Sequence, residues 1–285
     1  MSHDIKGTIR RHPLLILLLV ALIPVAAFAI MENAPKKEVI VPETQEVLDE
    51  RRASGDLLPD LVPLPPQDVV VQESAGRTYL LFSTVYYNQG DGVMELRADE
   101  ATAGIREDIE RDVFQRIYRN DDAYRDRIVG NFLWHQEHLH YHYSDFVEYS
   151  LSTEGDESEK RTWSEKATFC LRDISRVALD LPNRSEDALY KVCWKELQGV
   201  SIGWGDTYFY DYPDQDLDIT DLPTGEYRLT FNVNPLLRLE ELRYDNNVAS
   251  ALLYIDQEAG TVETVSTIPD VLPEIEHVYP EQVFD

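Results

Sequence analysis

Four of the seven histidines in this 285-residue chain fall within one short stretch, Trp134–His142. Three of them alternate as His138, His140 and His142, so they share one face on a β-strand but not on a helix. The predicted strand must bend if all three are to bind one ion, because its outer histidines lie ~13 Å apart when extended. Three imidazoles suit copper or zinc, and a histidine ladder that binds nothing is the alternative. His135 is out of phase, which favours a structural role.

The N-terminus indicates export. Basic residues precede an uncharged, apolar run over residues 13–31. This run is longer than the apolar part of a usual signal peptide, and it approaches the length of a membrane-spanning helix. Residues 1–31 are therefore predicted to be either a signal peptide, cleaved after Ala27-Phe28-Ala29, or a membrane anchor. Either reading places the rest of the chain outside the cell or on its surface.

The chain has two cysteines, Cys170 and Cys193. An even number of cysteines in an exported chain favours a disulfide, and two buried free thiols are the alternative.

The pattern along the chain predicts a mainly β, sandwich-like domain with few short helices. Runs rich in β-branched and aromatic residues predict strands, and residues 103–118, with an apolar residue at every fourth position, predict a helix. The boundaries predicted from composition are a linker over residues 32–56, the domain over 57–257 and an acidic tail over 258–285.

The net charge of the chain indicates which classes of ligand it can bind. The chain carries 53 acidic and 26 basic residues, a formal net charge of −27. Its 43% hydrophobic content is too high for a disordered acidic chain. Such a charge would repel nucleic acid and favours a cationic or metal ligand.

Taken together, short motifs in order along most of the chain resemble the lysyl oxidase family, which are copper amine oxidases with a quinone made from their own side chains. These motifs are Leu57–Val62, Leu81–Ser83, Asn88–Gly90, Trp134–His142, Lys166–Asp173, Gly203–Tyr208, Gln215–Asp221, Gly225–Tyr227, Asn234-Pro235 and Asn246-Asn247.

The resemblance implies roles for individual residues. His138, His140 and His142 match the copper ligands of the family. Tyr208 and Lys166 match the pair that forms the lysine tyrosylquinone cofactor. The implied activity is oxidative deamination of primary amines, either peptidyl lysine or small amines, to aldehydes, with O2 consumed and hydrogen peroxide and ammonia released. Copper is implied rather than zinc, because zinc has no redox chemistry.

A calcium site of the family is matched in part. Oxygen donors of this kind suit a hard cation. Arg243 occupies the position of an acidic ligand in the family, which either weakens the site or moves the role to Asp245. The matching positions are Asp60, Leu61, Glu241, Asn246 and Asn247.

Other departures limit what can be carried over. Glu137 stands where the animal enzymes have a cysteine, and only one cysteine pair is present. These features resemble a microbial branch, so collagen and elastin are not implied as substrates. Asp206, two residues before Tyr208, is a candidate for the base that takes a proton from the substrate. Two other hypotheses remain at this point, a non-catalytic copper- or calcium-binding surface module on the same fold and a zinc hydrolase.

Overall fold

A computed structural model describes residues 40–98, 110–136, 139–154, 168–213 and 215–278. The predicted leader, His138 and Lys166 lie outside these ranges. Among the described residues, no helix is both long enough and apolar enough to cross a membrane.

Within those ranges the chain contains one helix, α1 (Gln45–Ala53), and is otherwise built of strands and loops. The first strands are β1 (Asp56–Leu57), β2 (Leu61–Pro63), β3 (Gln67–Ser74), β4 (Arg77–Asn88), β5 (Met94–Ala98), β6 (Glu110–Arg119), β7 (Tyr124–His135), β8 (His140–Tyr143) and β9 (Val147–Thr153). The remaining strands are β10 (Ser175–Val177), β11 (Leu197–Val200), β12 (Trp204–Tyr208), β13 (Asp216–Asp218), β14 (Gly225–Val233), β15 (Val248–Asp256), β16 (Thr261–Ile268) and β17 (Ile275–His277). The mainly β prediction is confirmed.

The described strands form three antiparallel sheets. The histidine sheet has the order β11-β5-β6-β7-β8, with β1 added beside β6. The tyrosine sheet has the order β13-β4-β12-β10-β17, with β2 and β3 also paired to β4. The third sheet has the order β16-β15-β14-β9. Buried side chains from all three sheets belong to one hydrophobic core, which includes Phe132, Phe169, Trp204, Tyr208 and Phe231.

The helix predicted over residues 103–118 is wrong where the structure describes it. Residues 110–119 form β6, which pairs with β5 and β7. Val113, Gln115 and Ile117 are buried and their neighbours are more exposed, which is the two-residue period of a strand. Residues four positions apart, such as Val113 and Ile117, lie on the same face of a helix and also on the same face of a strand. This spacing therefore does not distinguish a helix from a strand. Residues 103–109 lie outside the described residues.

Part of the predicted linker is ordered against the domain. The side chain of Thr44 caps the start of α1 by accepting a hydrogen bond from the Val47 N–H at 3.4 Å. Leu48 on this helix is fully buried and packs with Leu58 and Ile117. Some of the predicted tail likewise belongs to the sheets, since β16 pairs with β15 and β17 pairs with β10.

A buried carboxylate ties α1 to the histidine sheet. Glu240 is fully buried and accepts a hydrogen bond from Arg51 of α1 at 2.5 Å. Arg125 of β7 bonds its other oxygen, and the guanidinium of Arg127 lies 3.4 Å from the first. Burial works against ionisation, yet the hydrogen bonds and charges of Arg125 and Arg51 hold the pKa of Glu240 below its usual value.

We expect Glu240→Gln to lower the free energy of unfolding by about 3–5 kcal/mol, because it leaves half-buried arginines facing a neutral amide. Urea unfolding measures this. Glu154→Gln is the matched control, since Glu154 pairs with Arg228 at an exposed site and its loss should cost less than about 1 kcal/mol. Equal losses in the two variants would contradict the role given to Glu240.

Candidate functional site

The histidines lie on a hairpin made by β7 and β8. His140 and His142 are two residues apart on β8 and share one face. Leu139 has a positive φ of 56°, so the chain turns there and the strand predicted to run from residue 138 starts at His140. Antiparallel pairing of β7 with β8 places His135 directly opposite His140, and the ring of His135 stacks on His142 with centroids 4.7 Å apart. His135, out of phase along the chain, therefore lies on the same face as the other two.

The ring nitrogens of His140 and His142 converge. Their Nε2 atoms are 2.8 Å apart. Two nitrogens at this separation either share one proton or bind one metal ion. Imidazole nitrogens are ligands that copper accepts, so this donor pair fits a copper ion. His138 lies outside the described residues.

The segment Thr168–Cys170 joins the histidine strand to the tyrosine strand. The Thr168 hydroxyl lies 3.3 Å from Nδ1 of His142. The backbone of Phe169 makes two hydrogen bonds with Tyr143, at 2.6 and 3.1 Å. The next residue, Cys170, donates its backbone N–H to the hydroxyl of Tyr208 at 3.0 Å. Three consecutive residues thus connect β8 to Tyr208.

Tyr208 is buried at the end of β12. It is 4% exposed, and its ring centroid lies 3.9 Å from that of Phe169. Burial and the nearby charge of Asp206 raise the pKa of Tyr208 well above its usual value, so the phenol is neutral at physiological pH. Lys166 lies outside the described residues, two positions before Thr168 in the chain.

A disulfide between Cys170 and Cys193 is present, as the sequence predicted. A ring nitrogen of His140 and both sulfurs lie within 4.8 Å of one another. Because metals bind thiolates and these sulfurs are joined to each other, the three groups are not a metal site in this form. The disulfide instead fixes the loop of Cys193 beside the histidine strand.

Asp206 points into the same core as Tyr208. It is 1% exposed, and among the described residues neither of its carboxyl oxygens makes a hydrogen bond of full geometry. Burial raises its pKa to about 7, and the charge of Arg172 and the nearby backbone N–H groups of Thr207 and Arg172 only partly oppose this. The hydroxyl of Tyr86, which lies opposite Asp206 on β4, also has no hydrogen-bond partner among the described residues.

Most of the residues predicted for calcium come together at the start of β2. Asp60 accepts a hydrogen bond from Asn246 at 3.0 Å, and Glu241 accepts one from Asn247 at 2.9 Å. Glu241 also accepts the backbone N–H of Leu61 at 2.7 Å. Burial raises the pKa of Glu241 to about 8.

Two side-chain oxygens of this group are suited to bind a cation. The side-chain oxygens of Asn246 and Asn247 are buried with no hydrogen-bond partner in the described part of the chain. Amide oxygens are ligands that Ca²⁺ accepts, so the donor set fits. Arg243, which departs from the acidic ligand of the family, pairs with exposed Asp245 at 2.6 Å. The charges of both side chains also act on Asp60.

Sequence reasoning missed Thr168, Phe169 and Tyr86. Thr168 and Phe169 lie within a motif that resembles the family, but nothing in the sequence gave them contacts with His142 and Tyr208. Tyr86 could have been found only from the register of β4 against β12.

Comparisons with known proteins identify similar chains. The family model described as lysyl oxidase matches residues 118–265. Protein-lysine 6-oxidase of Rattus norvegicus is 34% identical over 207 residues, 67% of this chain and 45% of the rat protein. Protein-lysine 6-oxidase of Sus scrofa is also 34% identical over 207 residues, which cover 74% of that protein.

A further relative, lysyl oxidase homolog 1 of Homo sapiens, is 33% identical over 202 residues, 68% of this chain and 33% of the human protein. The chain thus matches less than half the length of the rat and human relatives. The matched region contains His140, His142, the disulfide and Tyr208, and on this evidence the chain belongs to the lysyl oxidase family.

Proposed function

We propose that this protein is an exported copper- and lysine tyrosylquinone-dependent amine oxidase. It converts primary amines, either peptidyl lysine or small amines, to aldehydes and releases hydrogen peroxide and ammonia. The observation that carries the proposal is the short connection from the His142 ring through Thr168, Phe169 and Cys170 to the Tyr208 hydroxyl. It holds a pair of metal-binding nitrogens and a buried phenol in one core.

His138, His140 and His142 are the residues that would hold copper, and Tyr208 with Lys166 would form the quinone. When bound, copper supplies redox chemistry with O2, and the quinone supplies a reactive carbonyl and an acceptor for the electrons of the amine. Zinc in the same histidines would lack redox chemistry, which disfavours a hydrolase for a chain that also offers the tyrosine and lysine.

The surrounding residues prepare Tyr208 for this role. The Cys170 N–H fixes the position of its hydroxyl oxygen, and Phe169 packs against its ring. Burial keeps water away from the ring, which protects a reactive carbonyl from side reactions. The disulfide of Cys170 makes the backbone donor rigid, and it fits an oxidising compartment outside the cell.

The charge of the chain supports a cationic substrate. Primary amines are protonated at neutral pH, and a net charge of −27 would raise their concentration near the surface, more strongly at low salt. The membrane would be involved only through the N-terminal segment.

We expect copper-loaded protein incubated in air to contain a covalent cross-link between Lys166 and Tyr208, detected by peptide mapping, and to release hydrogen peroxide with a primary amine. Tyr208→Phe removes the phenol that would be oxidised, so it should lose both the cross-link and the peroxide. Tyr227→Phe is the matched control, because Tyr227 is also buried but lies on β14 and bonds Pro223. Separate Lys166 and Tyr208 peptides in the wild type would favour the non-catalytic metal-binding module instead.

We further propose that Asp60, Leu61, Glu241, Asn246 and Asn247 bind calcium, with Asp245 as an added ligand. Millimolar calcium should raise the Tm of the copper-free protein, because a ligand that binds only the folded state stabilises it. Asp60→Asn should lose most of this increase, since it removes the charge that faces the cation. Asp218→Asn, at an exposed acidic residue of β13, should keep it. An equal response in the two variants would contradict the site.

A further inference from the structure

Asp206 is the most weakly hydrogen-bonded buried acidic residue in the described part of the chain. Only the backbone N–H groups of Thr207 and Arg172 approach its carboxylate, and neither contact has the full geometry of a hydrogen bond. Each of the other buried acidic residues accepts well-formed hydrogen bonds from side chains or backbone N–H groups. Asp173, for example, accepts from Ser201, Leu189 and Tyr190. The full set of satisfied residues is Asp56, Asp60, Glu95, Asp173, Glu240 and Glu241.

A buried carboxylate that lacks well-formed hydrogen bonds is costly, and such groups concentrate at functional sites. Among the described residues, both oxygens of Asp206 and the hydroxyl of Tyr86 lack such a hydrogen bond, and each residue is 1% exposed.

The strand register places this pair beside Tyr208. On β12, Asp206 and Tyr208 are two residues apart and share the face that packs into the core. Their direct partners on β4 are Tyr86 and Thr84. Tyr86 also packs edge-on against Phe146, which keeps its ring in place.

Several charged or titratable groups face Asp206. Arg172 and Asp173 lie on the loop after Cys170, Tyr86 lies on β4, Tyr149 on β9, Tyr208 on the same strand as Asp206, and Tyr212 just after that strand. Arg172 is the one cation among these groups, and among the described residues no ion pair forms with Asp206. The carboxyl can therefore take up and release a proton near neutral pH.

We propose that Asp206 is the catalytic base of the amine oxidation and that Tyr86 is a positioning residue that donates a hydrogen bond to its ionised form. This inference rests on the proposed function. The Asp206 carboxylate takes the proton from the carbon that bears the amine nitrogen. The quinone, once formed, would accept the electron pair of that C–H bond, and O2 would take up both electrons together with two protons to give hydrogen peroxide.

The first test uses copper-free protein and needs no activity. The folded state binds a proton to Asp206 up to about pH 7, whereas the unfolded chain releases it near pH 4, the usual range of an aspartate. The wild type should therefore lose stability relative to Asp206→Asn as the pH rises from about 4 to about 7, and thermal unfolding measures this. A difference in Tm that does not change with pH would overturn the assignment of a proton to Asp206.

The second test separates the base from the quinone. Asp206→Asn should still form the Lys166–Tyr208 cross-link and react with phenylhydrazine, which condenses with a quinone carbonyl without losing a proton from carbon. Its kcat with a primary amine should fall at least about 100-fold. Asp206→Glu, which keeps the carboxyl, should recover part of the rate.

Retention of amine turnover by Asp206→Asn would overturn the proposal. So would a failure of this variant to form the cross-link, because Asp206 would then act in making the cofactor. If the wild type itself lacks the cross-link, the proposed function fails rather than the choice of base.

The third test addresses Tyr86. The pH profile of kcat/KM in the wild type should rise through an apparent pKa near 7, as Asp206 ionises. Tyr86→Phe should move this apparent pKa upward, because the ionised carboxylate loses a donor. Tyr227→Phe removes a buried hydroxyl on another sheet and should leave the profile unchanged. Identical profiles for the wild type and Tyr86→Phe would overturn the role of Tyr86.

Discussion

The site depends on the backbone of one short segment that hydrogen-bonds to two different sheets. Phe169 pairs with Tyr143 of the histidine sheet, and Cys170 donates to Tyr208 of the tyrosine sheet. Because these donors and acceptors are buried, water cannot replace them, and each must keep its partner. The disulfide between Cys170 and Cys193 constrains this segment further, and its sulfurs lie within 4.8 Å of a ring nitrogen of His140.

Burial acts differently on the polar groups around this segment. Glu240, Glu241 and Asp173 are buried but fully hydrogen-bonded, and they connect elements that are far apart in the chain. Asp206 and Tyr86 are buried, and in the part of the chain that the structure describes their side chains make no well-formed hydrogen bond. The first group stabilises the fold, and the second leaves reactive groups beside Tyr208 that the fold itself does not use.

The fold was predictable in its class and less so in its details. Alternation and β-branched residues indicated a mainly β domain, and the cysteine count indicated the disulfide. The prediction of a helix over residues 103–118 was wrong for the described residues of that range. Val113 and Ile117 have a spacing that occurs in both helices and strands, and only the pairing with β5 and β7 shows that they lie on a strand. Predicted linker and tail residues that join the domain were missed because their contacts are with distant parts of the chain.

By itself the sequence determined the chemical types at the site. These are the alternating His140 and His142, the cysteine pair, and a tyrosine two residues after an aspartate. The tertiary structure decided which of these residues meet. Antiparallel pairing of β7 with β8 places His135 opposite His140 and against the ring of His142, and the spacing of the histidines along the chain does not show this. Burial against another sheet raises the pKa of Asp206, because desolvation depends on what surrounds a side chain and not on its neighbours in sequence.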